Sequence, residues 1–499
     1  NIHKDALQTL IRAPLSFFTG TDTGVVTNLF SQDLNLVDTE LPSALLNFLF
    51  SAFSAIGQAA VMPTSSPYMA ISYPFLAVLL YFVQKFYLRT ARQLRLLDLE
   101  AKSPLYTHFL DTAKGISTLR AFGFMSEELN KDAHLVNDSQ RPAYLLVMVQ
   151  QWLNLVLDIV VMIMAAVLTT LAVRTHSSSG FTGASLVTLM SFGENLSGIV
   201  IFYTKLETSI GAIARLRTFH DTVTPEDKDG EDIVPSLQWP ETGSVCMKGV
   251  SASYCAETSS DGTDNLALKD VSLTIDSGKK IAICGRTGSG KSSLIALFLK
   301  LLDPTPATSA NITIDALSLQ KIERSTLRQR LLAVPQEAVF LPDGTSFKEN
   351  LDPLDVSNLQ ECRYALESVG MWDFVLGKGG LTASMSAGTL SAGQRQLLSL
   401  ARVLLRRRHR SQQGTDNGIL LLDEVSSSVD QATEKVMQEI IRTEFERYTV
   451  VAVSHRLDMI MDFDSVVVMD KGCVVEVGNP RTLAAETGSR FGELVRAGE

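Results

Sequence analysis

Gly285-Arg286-Thr287-Gly288-Ser289-Gly290-Lys291-Ser292 is the stretch of this sequence best equipped for chemistry. It fits G-x-x-x-x-G-K-[ST] in full, and residues of those types at that spacing bind phosphate. The glycines let backbone N–H groups curl around phosphate oxygens, and the N-terminus of the following helix adds partial positive charge. Lys291 then reaches the β- and γ-phosphates, and the Ser292 hydroxyl ligates Mg²⁺. A second candidate is Asp423-Glu424, which closes the apolar run Ile419-Leu420-Leu421-Leu422. An apolar strand puts both carboxylates at its C-terminal edge, where α/β sheets bind ligands. Asp423 would hold Mg²⁺ through water, and Glu424 would polarise the attacking water as general base. ATP and Mg²⁺ are therefore the expected cofactors.

These groups need a strand and a helix to position them. Lys280-Ile281-Ala282-Ile283-Cys284 is a short buried-type strand, and the residues from Ser293 to Lys300 read as an amphipathic helix. At 499 residues the chain is too long for one core, and its length predicts roughly two or three domains. Between Leu41 and Gln84 there is no Asp, Glu, Lys, Arg or His, a run that a soluble domain does not need. The net charge of −10 argues against a nucleic-acid partner, since phosphate neutralisation wants a basic face. Cys246, Cys255, Cys284, Cys362 and Cys473 contain no C-x-x-C pair and read as reduced cytosolic thiols. The chain opens on Asn1, without Met or a signal-peptide pattern, and so reads as part of a longer product.

Four spans are predicted, at 41–62, 68–88, 143–173 and 183–204. Met62-Pro63-Thr64-Ser65-Ser66-Pro67 is the turn within the first pair, and Arg174-Thr175-His176-Ser177-Ser178-Ser179 joins the second. The long loop between the pairs carries the basic residues from Lys85 to Arg141, which places it in the cytosol. Four crossings then return the chain to the cytosol, where a phosphate-binding domain meets ATP. Asp158 and Glu194 lie inside spans, where charge is costly and marks a pathway. The acidic, Pro/Gly-punctuated residues 220–243 have the composition of a solvated linker. Residues 1–219 are expected to be a membrane domain and 244–499 a nucleotide-binding domain.

Tyr81-Phe82-Val83-Gln84-Lys85-Phe86-Tyr87, Ser103-Pro104-Leu105-Tyr106-Thr107-His108-Phe109 and Gly115-Ile116-Ser117-Thr118-Leu119-Arg120-Ala121-Phe122 resemble the C subfamily of ATP-binding-cassette (ABC) exporters, the multidrug-resistance-associated group. The resemblance covers essentially the whole chain. It implies a helical transmembrane bundle, part of a type IV exporter membrane domain, followed by an α/β P-loop NTPase domain. Residues 13–18 with 28–33, and then 103–122, are similar to the family's cytosolic loops that carry coupling helices. The stretch 24–33 is most similar to fungal members. The family's membrane domain has six helices, and the match begins after the second. The chain is therefore expected to be the second half of a longer transporter, with a native half-size protein as the alternative.

The resemblance also assigns roles. Tyr254 would stack on adenine. Gln336, in Pro335-Gln336, would touch Mg²⁺ or the attacking water. Leu390-Ser391-Ala392-Gly393-Gln394 is similar to the signature loop, which contacts an ATP held by a partner domain, with Ala392 in place of the usual glycine. Ser428-Val429-Asp430 resembles the D-loop, with Asp430 as its acidic residue, and His455 would bond the γ-phosphate and keep Glu424 and water in line. Trp152 is kept from a segment that lines the family's site for organic anions, but its flanking arginines appear as Gln151 and Val156. On the last helix, Gly198 and Ile201 replace a Trp and an Arg. Without those cations an anionic conjugate loses bidentate partners. The basic run Arg406-Arg407-Arg408-His409-Arg410 reads as a solvated loop.

Together these readings predict ATP-driven efflux of small lipophilic or amphipathic compounds, xenobiotics or secondary metabolites. The protein would sit in a plasma or vacuolar membrane and need a second ABC half or a second copy of itself. The alternatives are a nucleotide-gated channel or channel regulator of the same subfamily, or a truncated non-transporting fragment. The charge-free stretch argues against a soluble cassette ATPase.

Overall fold

In a computed structural model, the described residues are 2–21, 23–64, 67–174, 179–254, 266–425, 429, 431–454 and 456–498. The chain divides into two compact units. One comprises Asn1–Thr9 and Asp22–Val223, and the other Leu10–Thr21 and Thr224–Glu499.

The first unit is helical. Its main elements are α1 (Leu41–Val61), α2 (Tyr73–Phe122), α3 (Met125–Arg174) and α4 (Ser179–Thr222). Helices Gly24–Val61, Ala70–Phe122, Met125–Arg174 and Ser179–Thr222 are long and apolar enough to cross a membrane. On α3 the buried residues Leu153, Leu157, Val160, Met164 and Leu168 recur every three or four positions, a single stripe that packs inward. It meets Ala55 and Met62 at the end of α1, and Leu189 and Phe192 of α4, in one cluster. Tyr87 and Ala91 of α2 meet Leu153 and Leu157 in another. Phe50, Phe53, Phe75 and Phe82 stay exposed, as a surface solvated by lipid allows. Polar groups inside the bundle find one another: Asn154 accepts from Ser197 at 2.5 Å, and Gln58 accepts from Asn195 at 3.1 Å.

The long loop expected between the two pairs is helix almost throughout. α2 and α3 continue through it, passing Pro104 and Pro142, and reverse at Gly123. A proline deletes one helical hydrogen bond at a cost of about 3 kcal/mol, which a 50-residue helix secured on both sides of it absorbs. Gly123 takes a left-handed φ of 73°, and its N–H bonds Leu119 O, the geometry that ends helices at glycine. The return span opens in a 3₁₀ segment, Pro67–Ser72, and becomes α-helical at Tyr73.

The second unit is α/β. Its central sheet has the order β10-β9-β3-β8-β7-β6. The strands are β3 (Lys280–Gly285), β6 (Leu332–Val334), β7 (Ile419–Asp423), β8 (Thr449–Val453), β9 (Ser465–Asp470) and β10 (Cys473–Gly478). All pairs are parallel except β9 with β10. Helices on both faces explain why β8, Thr-Val-Val-Ala-Val, is buried at every position. A second, antiparallel sheet runs β2-β1-β4-β5, from β1 (Val245–Ala252), β2 (Leu268–Ile275), β4 (Ile312–Ile314) and β5 (Leu317–Ser318). Helix α5 (Lys291–Phe298) follows β3, and α6 (Ala392–Gln412) precedes β7.

Two expectations are corrected here. The basic run 406–410 lies within α6. Arg408 stacks on Tyr364 with its guanidinium 3.9 Å from the ring centroid, Arg407 pairs with Glu444, and Arg410 is buried against Arg330 O. The acidic linker is not solvated throughout. Glu226 and Glu231 pair with Arg328 and Arg324, and Trp239 is buried. Composition showed the acids, but their basic partners are about a hundred residues away in sequence.

Candidate functional site

The phosphate loop joins the C-terminal end of β3 to α5. Gly285 has φ 149°, and a Cβ there would run into Met469 O on β9. Gly290, at φ 97°, faces Ala267 O, which a Cβ would approach to 2.9 Å. Glycine is required at both positions, by conformation and by space. Lys291 is buried and donates Nζ to Gly285 O at 3.0 Å and Arg286 O at 3.1 Å. The ammonium is thus held within the curl of the loop. Burial pushes its pKa below the ordinary lysine range, while Glu424 pulls the other way. Ser289 is buried, and its Oγ lacks a partner among the described residues, an orphan inside a loop built to hold anionic oxygens.

β7 delivers the carboxylates. Ser292 Oγ donates to Asp423 Oδ1 at 3.0 Å, which brings the end of β7 against the start of α5. Burial raises the Asp423 pKa above the usual carboxylate range, and the Ser292 hydrogen bond only partly offsets it. A charge held at such a cost is relieved by a cation. Among the described residues no group of three or more His, Cys, Asp or Glu could hold a metal by itself. Mg²⁺ in nucleotide sites needs no such cage, because it takes one or two protein oxygens plus phosphates and water. The Ser292 hydroxyl and Asp423 carboxylate fit that donor set.

Glu424 has a left-handed φ of 48° and donates its N–H to Val453 O on β8 at 3.1 Å. Non-glycine residues in that region are strained, and such strain gathers at functional sites. Gln336, just past β6, donates Nε2 to Glu424 Oε2 at 2.9 Å. Tyr254 donates its hydroxyl to Ser293 Oγ at 3.1 Å, fixing the ring beside the first turn of α5. The structure therefore brings Tyr254, the loop 285–293, Gln336, Asp423 and Glu424 together. Asp430 and His455 lie outside the described residues.

Ser391 caps α6: its Oγ accepts from Gln394 N at 3.1 Å, and Gln394 Oε1 accepts from Ser391 N at 3.0 Å. Leu390 and Gly393 are buried, and Ser391 is exposed. Sequence reasoning missed Gln396, whose Nε2 donates to Gln336 O at 2.6 Å and ties α6 to the Gln336 loop. It also missed Arg456, which pairs with Glu434 and donates to Val429 O at 2.7 Å. A glutamine two positions past the signature loop was the only available signal for the first. Cys284 lies buried behind the loop, and burial pushes its thiol up to about 12, so it stays protonated.

The three residues expected on a cargo path do not form one cluster. Trp152 is 38% exposed and packs on Phe86 of α2, with ring centroids 5.4 Å apart. Asp158 instead leans on α4, where a Cβ on Gly193 would lie 3.8 Å from its Oδ1. Glu194 is the next residue on that helix, and both carboxylates are exposed. Gly198 lets α1 and α4 close up, since a Cβ there would come within 2.9 Å of Ser51 Oγ.

Residues 1–200 match the family ABC transporter transmembrane region, and residues 268–427 match the family ABC transporter. The second match runs from β2 past Glu424, so it includes the phosphate loop, Gln336 and the signature residues. Among curated proteins the chain is similar to the ABC-type transporter braE of Annulohypoxylon truncatum, at 62% identity over 100% of the chain and 35% of that protein. It is 50% identical to ABC transporter FGM5 of Gibberella zeae, over 99% of the chain and 34% of the relative. ABC multidrug transporter B of Aspergillus fumigatus is 42% identical over 99% of the chain and 33% of its own length. The chain thus spans about a third of the length of these fungal relatives. Its matched regions are thus an ABC transporter transmembrane region at 1–200 followed by an ABC transporter domain, the ATPase domain, at 268–427.

Proposed function

We propose that this chain works as the second half of an ATP-driven exporter of the C subfamily, moving small lipophilic or amphipathic compounds, xenobiotics or secondary metabolites, out through a plasma or vacuolar membrane. One observation carries the ATPase half of the reading. Two hydrogen-bonded pairs, Ser292 with Asp423 and Gln336 with Glu424, meet on adjacent residues at the C-terminal end of β7, with Lys291 buried in the phosphate loop next to Ser292. Lys291 and the loop N–H groups would hold the phosphates, and Ser292 and Asp423 would hold Mg²⁺, which supplies charge neutralisation on the phosphoryl group. Glu424, steered by Gln336, would take the proton of the attacking water. Exposed Ser391 and the N-terminus of α6 would complete a partner's site, so the chain needs a second ABC half or a second copy.

For the cargo, the supporting points are the missing arginines beside Trp152 and the multidrug name of one relative. The basic residues from Lys85 to Arg141, between the two pairs of predicted spans, support a cytosolic ATPase domain. The test is vanadate-sensitive ATPase activity of the chain in lipid, across protein concentration, beside Glu424→Gln. Loss of a general base lowers the rate by about 10²–10⁴ while ATP binding persists. Unchanged hydrolysis by Glu424→Gln would sink the assignment. Activity rising faster than protein concentration identifies self-pairing, and bound ATP without turnover identifies a missing half.

A further inference from the structure

Helix α5 starts at Lys291 in the phosphate loop and ends at Phe298. Carbonyls at the end of a helix have no later turn to bond. Here two arginines from the short helix Arg324–Arg330 take up the pair that follows it. Arg328 donates Nε to Leu299 O at 2.9 Å and Nη2 to Lys300 O at 3.0 Å. Arg324 donates Nη1 to Lys300 O at 2.8 Å. Two guanidinium groups therefore sit at the negative end of the helix whose positive end faces the phosphates.

Both arginines are gripped by the stretch that follows the last membrane-type helix. Glu226 binds Arg328 bidentately at 2.7 and 2.8 Å. Glu231 binds Arg324 bidentately at 2.8 and 3.0 Å and lies 2.9 Å from Lys300 Nζ. A bidentate guanidinium–carboxylate pair fixes orientation as well as distance. Backbone bonds add to the grip, since Ile233 N–H reaches Lys321 O at 2.9 Å and Glu323 N–H reaches Ile233 O at 3.0 Å.

Resting on the reading of 285–292 as an ATP site, we infer that Arg328 and Arg324 are positioning residues for that site. Through Glu226 and Glu231 they make the segment after Thr222 a connection from α4 to the phosphate loop. α5 is only 8 residues long, about 12 Å at helical rise. Moving one end of so short a rod moves the other. Release of Glu226 frees Arg328, the C-terminal end of α5 shifts, and the loop N–H groups lose register with the phosphates. This route runs through the linker itself. It lets the membrane helix bias nucleotide affinity through the covalent linker.

The test uses the full chain in lipid nanodiscs, titrated with ATP as Glu226→Gln, Arg328→Lys and the double variant, with thermal unfolding followed in parallel. These side chains are 18% and 28% exposed, so the variants remove a partner without emptying a core site, and Arg328→Lys keeps its charge. Each single variant weakens ATP binding about fivefold, and the double variant weakens it no further than either. Unchanged ATP affinity with a lowered unfolding temperature makes the network a structural brace and overturns the inference. Strict additivity of the two variants overturns it as well. A wild-type chain that binds no ATP overturns the reading of the site itself, and this inference with it.

Discussion

Glu231→Ala removes the carboxylate that stands between Arg324 and Lys300, whose side chains are 3% and 0% exposed. Deleting one partner of a buried pair costs about 3–5 kcal/mol; here Arg324 keeps Asp303 at 2.8 Å, and the charge left buried without its carboxylate partner is Lys300. A domain of this size shifts its midpoint by about 2–4 °C per kcal/mol. The expected fall is therefore about 6–20 °C at neutral pH, read by calorimetry or tryptophan fluorescence on the nucleotide-free chain in detergent. The pH profile checks the mechanism. Burial pushes the Glu231 carboxyl up, but hydrogen bonds from Arg324 and Lys300 outweigh it and hold the pKa below the ordinary range. A depressed carboxylate contributes stability above its unfolded pKa and loses it as pH falls through the folded one. The two proteins therefore converge in acid. Lys300 supplies the other limb, since burial holds its pKa below the ordinary lysine range. With Glu231 gone the amine can shed its proton, and the deficit narrows as pH rises toward about 10. A shift under about 2 °C at neutral pH, flat with pH, would mean that the linker acids are solvated and refute the argument.

Asp423→Asn should raise the midpoint of the nucleotide-free chain at pH 7 and abolish the dependence of ATP affinity on Mg²⁺. The folded carboxyl has a raised pKa, so its contribution to stability falls as pH climbs from the ordinary aspartate value through the raised one. An amide avoids that penalty, and a lowered midpoint at pH 7 counts against the burial argument. Gly285→Ala forces a Cβ toward Met469 O at φ 149°, strain of about 1–3 kcal/mol at the mouth of the phosphate loop. ATP binding, followed with a fluorescent analogue, should be lost or much weakened. Wild-type affinity would show that the strand pair β3 and β9 yields easily.

Much of the site was legible because its chemistry is local. The phosphate loop and the Asp423-Glu424 strand end are each runs of adjacent residues whose spacing specifies their backbone. The charge-free run from Leu41 to Gln84 marked membrane-type helices for the same reason. Helix through the expected loop of α2 and α3 was not legible, because Pro104 and Pro142 are local breakers that the long helices on either side override. The basic run 406–410 misled in a similar way. Its charges have partners, Glu444, Tyr364 and Arg330 O, that no local pattern connects to it.

The residue order by itself therefore determined which groups could do chemistry, and that a membrane region precedes an ATPase domain. Only the tertiary structure decided who touches whom. It paired Ser292 with Asp423, Gln336 with Glu424, and Gln396 with Gln336 O. It set Trp152 against α2 and Asp158 against α4, and it anchored Glu226 and Glu231 on arginines about a hundred residues away. The physical reason is range. Propensity and motif spacing act over a few residues of backbone, whereas an ion pair or a packed ring depends on which distant elements burial has already brought together.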